Sequence, residues 1–260
     1  MMISCIIPCA KTDIDNINLR KFSNTSLLEL KLDVLKELPL SETILSSNDL
    51  DVKKILVNKQ KNIKFDLRPN DLCINNVKHH KIYKYFTQLV KNDVILHTTV
   101  TCPFISKNTL EYLINYWHNN DYDVITIYKN NKNYIKCNDT KTLNNSIQDI
   151  KYLNNYFELL PNCCLLFDKN KYLKYENIFD SRLKIKLLNF DDIETFSIRN
   201  NTDFLIAESI FYRNLNSNKN INDHMLNYEY SKTKILDCTI RDSGYLNNWN
   251  WTYETVRDFV

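Results

Sequence analysis

Ile3-Ser4-Cys5-Ile6-Ile7-Pro8, near the start of a 260-residue chain, is apolar at almost every position and stops at a proline. A short run of that kind suits a strand covered on both faces, the usual state of a parallel strand packed between helices. The next patterned segment has the other period. Residues 26–38 place Leu27, Leu30, Val34, Leu35 and Leu38 at helical spacing, opened by a Ser26/Glu29 capping box. The loop between strand and helix, about seventeen residues, is longer than most such connections.

Working outward, the two periods keep alternating. Residues 43–47, 93–97 and 123–128 read as strands, and residues 78–90 and 107–118 as helices. Residues 130–156 are polar and poorly periodic, which predicts a hairpin or an excursion over the sheet edge. Residues 163–167, 183–189 and 193–198 read as further strands. Residues 202–215 read as a helix capped from Asn200 or Asn201. Strands alternating with helices predict an α/β fold, a mainly parallel mixed sheet flanked by helices.

Composition narrows the function classes. Lys+Arg of 34 against Asp+Glu of 31 gives a net charge of +3. The basic residues are scattered, with no stripe to track a phosphate backbone, so nucleic acid is not an expected partner. The apolar runs fall short of the roughly 20 residues of a membrane span. The apolar start has no basic segment before it, so it reads as a strand rather than a leader, and a cytoplasmic location is expected. Eight cysteines without C-x-x-C pairs or regular spacing predict reduced, buried thiols, and Cys163-Cys164 reads as core packing. Cys73, His79 and His80 match no common zinc spacing. Gly244 is the single glycine, against a usual share of about 7%.

Several short motifs then occur in an informative order. They are Ile6-Ile7-Pro8, Asn18-Leu19-Arg20-Lys21-Phe22, Thr25-Ser26-Leu27-Leu28-Glu29, Ser46-Ser47-Asn48-Asp49, Arg68-Pro69, and Thr98 to Phe104. Asp203-Phe204 with Ala207-Glu208 closes the series. Together they resemble the acylneuraminate and deoxyoctulosonate cytidylyltransferases over about residues 3–215. The resemblance implies a nucleotide-diphospho-sugar transferase-like (Rossmann-like) domain over residues 1–215. It implies CTP and a keto-sugar acid as substrates, Mg2+ as cofactor, and transfer of CMP to the sugar with loss of pyrophosphate. It also implies phosphate-facing cations at Lys11, Arg20 and Lys21, and a nucleotide site around Pro8, Ser47, Arg68 and His97. A histidine at a strand's carboxyl end is as often a structural residue as a site residue.

The chain departs from that family in two places. The first loop, residues 9–17, has no glycine and no arginine, and Asp13 and Asp15 oppose a triphosphate. Ser197 and Arg199 stand where the family places its metal-binding D-x-D, and Asp191, Asp192 and Glu194 could serve instead only if the strand register differs. A diverged enzyme and a catalytically inactive nucleotide- or sugar-binding remnant both follow.

Beyond a polar linker at 216–233, residues 236–245 resemble the D-x-T-x-R-D-G-G signature of pyruvate-dependent aldolases, with Asp237, Arg241 and Asp242 in its key positions. A complete barrel of that family takes about 200 residues or more. Residues 234–260 therefore read as its first strand and helix, which implies an aldolase or a second copy of the chain as a partner.

Overall fold

The structure, a computed structural model, describes residues 2–11, 16–59, 63–74, 77–130 and 157–217. All but Asn130 of the sequence-predicted excursion at 130–156, the linker at 216–233 beyond Ser217, and Asp237, Arg241 and Asp242 lie outside those residues. By compactness the chain divides into Met1–Tyr212 and Arg213–Val260, and the fold described is that of the first unit.

Strand β1 (Ile3–Pro8) leads through a small hairpin, β2 (Lys21–Phe22) and β3 (Thr25–Ser26), into α1 (Leu27–Leu35). There follow β4 (Glu42–Ser47), α2 (Leu50–Lys59), β5 (Ile63–Leu67), α3 (His79–Leu89), β6 (Val94–His97), α4 (Lys107–Asn119) and β7 (Val124–Asn130). The last elements are β8 (Phe157–Leu159), β9 (Leu165–Asp168), α5 (Lys169–Tyr175), β10 (Ile185–Asn189) and α6 (Asn201–Ser217).

Among the described residues one sheet runs in the order β10-β7-β9-β6-β1-β4-β5, with β8 also paired to β7. β1 pairs in parallel with β4 and β6, and β5 and β10 extend the two ends in parallel. β9 runs antiparallel between β6 and β7. The α/β fold with a mixed, mostly parallel sheet is thus the one the alternating periods predict. The long first loop contains the β2–β3 hairpin, and α2 and β5, absent from the sequence reading, complete one edge. Residues 193–198, predicted as a strand, form a turn instead. Asp191 accepts from the backbone N–H of Ile193 at 2.7 Å, and its carbonyl accepts from Thr195. Such side-chain capping draws the backbone away from a ladder.

Alternation along the strands divides the core. Cys5, Ile7 and Leu45 face one side, where α1, α2, α4 and α6 contribute Leu28, Leu56, Leu110 and Phe204. Ile6, Ile95 and Phe167 face the other, under Phe86 of α3 and Tyr172 of α5. Ser26 caps α1 as expected: its Oγ accepts from the Glu29 N–H, and its hydroxyl donates to the Glu29 carboxylate at 3.0 Å.

Scarcity of glycine leaves its mark at turns that need a positive φ. Asn16, Ser23 and Glu176 take φ of 47°, 56° and 51°, each at a cost of about 1 kcal/mol relative to glycine.

Candidate functional site

The carboxyl ends of β1, β4, β5 and β6 open on the same edge of the sheet, and open α/β sheets bind ligands at that edge. The structure brings Pro8, Lys11, Ser47 and Arg68 together there. Pro8 ends β1 beside Ser46 of β4, and the Lys11 N–H is held by Asn48 Oδ1 at 2.8 Å while its side chain stays exposed. Lys21 is likewise exposed, on β2.

The other sequence-predicted residues are bound into the protein. Ser47 is buried, donates to the Cys9 carbonyl and accepts from the Asp49 N–H ahead of α2. Arg68, only 4% exposed, donates through Nε to Ser46 Oγ at 3.0 Å and through a guanidinium NH2 to the Ser46 carbonyl. Its guanidinium also lies 5.4 Å from the centre of the Phe86 ring. Burial pushes its pKa down from the usual arginine range. Arg20 stacks 4.4 Å over the Phe204 ring and donates to Asn201.

His97 is buried on the α3 side. Its Nδ1 lies 3.1 Å from the Pro161 carbonyl, so the neutral ring carries its proton there and donates. Burial lowers its pKa to about 4, and Tyr83 packs edge-on at 5.3 Å. That environment fits a structural imidazole.

The Asp203–Glu208 motif of α6 acts on the first loop. Phe204 and Phe22 meet at 5.4 Å, Ala207 is fully buried, and Glu208 accepts from the Ser23 N–H at 2.8 Å. Asp203 accepts from the Arg199 N–H at 2.9 Å. This motif therefore clamps the segment that carries Arg20 and Lys21.

Beyond β6 the edge holds a cavity of about 230 Å³, lined by Lys129, Glu158, the segment 159–163, the turn 195–197 and Arg199. Apart from Arg199 and Ser197, sequence reasoning did not mark it. Its origin is a four-residue insertion: Leu159 pairs with Tyr128 and Leu165 with Thr126, so the five residues 160–164 face Ile127 alone. Two cations line the cavity, each loosely paired. Arg199 stands 3.9 Å from both Glu158 and Asp203, and Lys129 3.5 Å from Asp192.

Mg2+ finds no ready donor set. Asp191 caps its own turn, Asp192 pairs with Lys129, and Glu194 accepts from Thr109 Oγ1 of α4. No group of three His, Cys, Asp or Glu side chains able to hold an ion occurs among the described residues, so these carboxylates do not fit the ion. No helix among them is long and apolar enough to cross a membrane.

No protein-family model matches the sequence, and comparison with curated proteins finds no match. Solved structures do match. The 4-diphosphocytidyl-2C-methyl-D-erythritol synthase of Anaerococcus prevotii is 17% identical with a TM-score of 0.63, over 82% of this chain and 99% of that one. A CMP:2-keto-3-deoxy-manno-octonic acid synthetase complexed with CTP is 8% identical with a TM-score of 0.60, over 82% and 100%. The bifunctional IspDF of Campylobacter jejuni is 15% identical with a TM-score of 0.58, over 78% of this chain and 53% of that one. At such identities the likeness is one of fold: the chain has the mixed, mostly parallel, nucleotide-diphospho-sugar transferase-like sheet that these structures share.

Proposed function

We infer that this protein is a nucleotidyltransferase that moves CMP from CTP to a keto-sugar acid. The observation that carries the reading is the cavity beside the carboxyl edge of β1, β4 and β6, where Arg199 and Lys129 are only loosely paired. A sugar carboxylate satisfies such cations better than neighbours 3.5 to 3.9 Å away, because a guanidinium binds a carboxylate in two parallel hydrogen bonds. The nucleotide lies over Pro8 and Lys11, with Lys11 and Lys21 as exposed cations toward its phosphates. The acceptor hydroxyl attacks the α-phosphorus, the bond to the bridging oxygen breaks, and pyrophosphate leaves. Bringing the two substrates together supplies most of the effect available to residues of this kind.

The direct test is calorimetric titration with CTP, with ATP, GTP and UTP as controls, followed by pyrophosphate release in the presence of sugar acids. Selective CTP binding with pyrophosphate release is the expected result. Absence of binding at millimolar CTP sinks the reading.

One observation favours a second reading, a non-catalytic nucleotide- or sugar-binding protein. Arg199 occupies a position where the resembled family carries a carboxylate, and Asp191, Asp192 and Glu194 are each engaged elsewhere. CTP binding with no pyrophosphate release from any sugar acid selects it.

A further inference from the structure

Two buried cysteines 61 positions apart meet where Cys163 lines the cavity, with Cys102 directly behind it. Cys102 lies in the loop after β6, Cys163 in the insertion before β9, and their sulfurs are 3.0 Å apart. A disulfide needs about 2.05 Å, so closure takes about 1 Å of movement. Both residues sit in loop segments already joined: Thr99 N–H donates to the Asn162 carbonyl, and Thr98 Oγ1 to that of Cys163. Cys163 lines the cavity. The cavity communicates with solvent, because Arg199 and Glu158, which also line it, have side chains 72% and 45% exposed.

Their surroundings favour a thiolate at Cys102. The Cys163 thiol donates to Cys102 Sγ, and Thr99 Oγ1 donates to it at 3.6 Å. Lys31, on the buried face of α1 and 1% exposed, donates to the Cys102 carbonyl at 2.9 Å and to Thr98 Oγ1 at 3.3 Å. The donated hydrogen bond from Cys163 outweighs burial, and with Lys31 nearby it holds the Cys102 thiol below its ordinary range. The same hydrogen bond pushes Cys163 upward. Hydrogen-bond donors around one thiol favour its thiolate, the form in which a cysteine is nucleophilic.

We propose that Cys102 and Cys163 are a thiol modification site, a dithiol that hydrogen peroxide entering through the cavity converts to a disulfide. The Cys102 thiolate attacks one peroxide oxygen, the O–O bond breaks, and the departing hydroxide takes up the proton Cys102 gave up and leaves as the first water, with a sulfenic acid on Cys102. The Cys163 sulfur attacks that sulfur, the S–O bond breaks as the S–S bond forms, and the departing hydroxide leaves with the Cys163 proton as the second water. Two thiols and one peroxide thus give one disulfide and two waters. This site stands whether or not CMP transfer is the protein's function.

The test treats the reduced full chain with hydrogen peroxide, titrates thiols in denaturant, and maps peptides. Loss of two of the eight thiols is expected, with a Cys102–Cys163 linked peptide that dithiothreitol reverses. Cys102→Ser and Cys163→Ser are each expected to abolish the linked peptide. Cys73→Ser, which removes a more exposed thiol, is expected to leave it unchanged. Recovery of Cys102 and Cys163 as free thiols while Cys73 or another cysteine is oxidised overturns the proposal. Mapping on the unaltered chain decides the matter even where a serine variant fails to fold.

Discussion

The two ends of the carboxyl edge are built on opposite terms. At the β4–β5 end, polar side chains answer one another. Ser46 and Tyr85 both donate to the Asp66 carboxylate, at 2.6 and 2.8 Å, and Arg68 donates to Ser46. At the β7–β8 end, Arg199 and Lys129 stand at arm's length from their acids around a cavity. A buried polar group that is fully partnered holds a fold together, while a loosely paired charge on a cavity wall is free to change partners. The difference teaches that residue type alone misleads: the arginine at the β5 end is buried among its partners, and the arginine on the cavity is exposed and only loosely paired.

The sharpest way to break this contrast is Arg68→Ala. It removes the buried donor to Ser46 Oγ and to the Ser46 carbonyl, and a stability loss of about 3 kcal/mol in urea unfolding is expected. A loss below about 1 kcal/mol would mean that the β5 end is not closed.

Acid provides the next largest effect. The folded-state pKa of His97 is about 4 against an ordinary 6.5, so below pH 6.5 the unfolded chain takes up a proton that the folded chain refuses. Its contribution to stability is complete above about pH 6.5, is lost as pH falls toward about 4, and changes no further below that. Unfolding at about pH 5 is expected to show about 2 kcal/mol less stability from this group than at about pH 7. His97→Gln should flatten that slope, and a slope that persists unchanged would assign it to other groups.

Arg20→Ala removes a guanidinium from the face of Phe204, and a loss of about 1 kcal/mol is expected, read by thermal unfolding. Arg199→Ala should have the smallest effect on stability, within about 0.5 kcal/mol. It is expected to weaken sugar-acid binding about tenfold by calorimetry, in line with loss of one charged hydrogen bond. An equal affinity in that variant would remove the open end of the comparison.

Much of the sheet is legible in the sequence. β1 and β6 are apolar runs, β4 and β7 carry short apolar centres, and α1, α3 and α4 show helical spacing. β5 is harder, because Ile63-Lys64-Phe65-Asp66-Leu67 is a half-exposed edge strand whose period-2 signal is short. The 193–198 turn is apolar enough to pass for a strand, and the carboxylate of Asp191 decides otherwise. Of the site, Lys11 is an exposed cation at the predicted edge, and Lys21 is exposed on β2. The roles of Ser47, Arg68 and His97 depend on what their polar atoms touch, which spacing does not encode. Lys31 illustrates the same limit: a lysine within a leucine-rich helix reads as solvent-facing, yet it is buried against Thr98 and Cys102.

The placement of β9 between β6 and β7 also sets an order of events on the ribosome. When Val94–His97 first emerges, one of its edges has no partner until Leu165–Asp168 is synthesised. At about 5–20 residues per second, that edge stays open for several seconds. β7, made in the interval, has to be kept from occupying the slot meant for its later neighbour. An unpaired strand edge invites pairing with the wrong segment or another chain, so the nascent protein is most vulnerable to misassembly between the synthesis of β6 and that of β9.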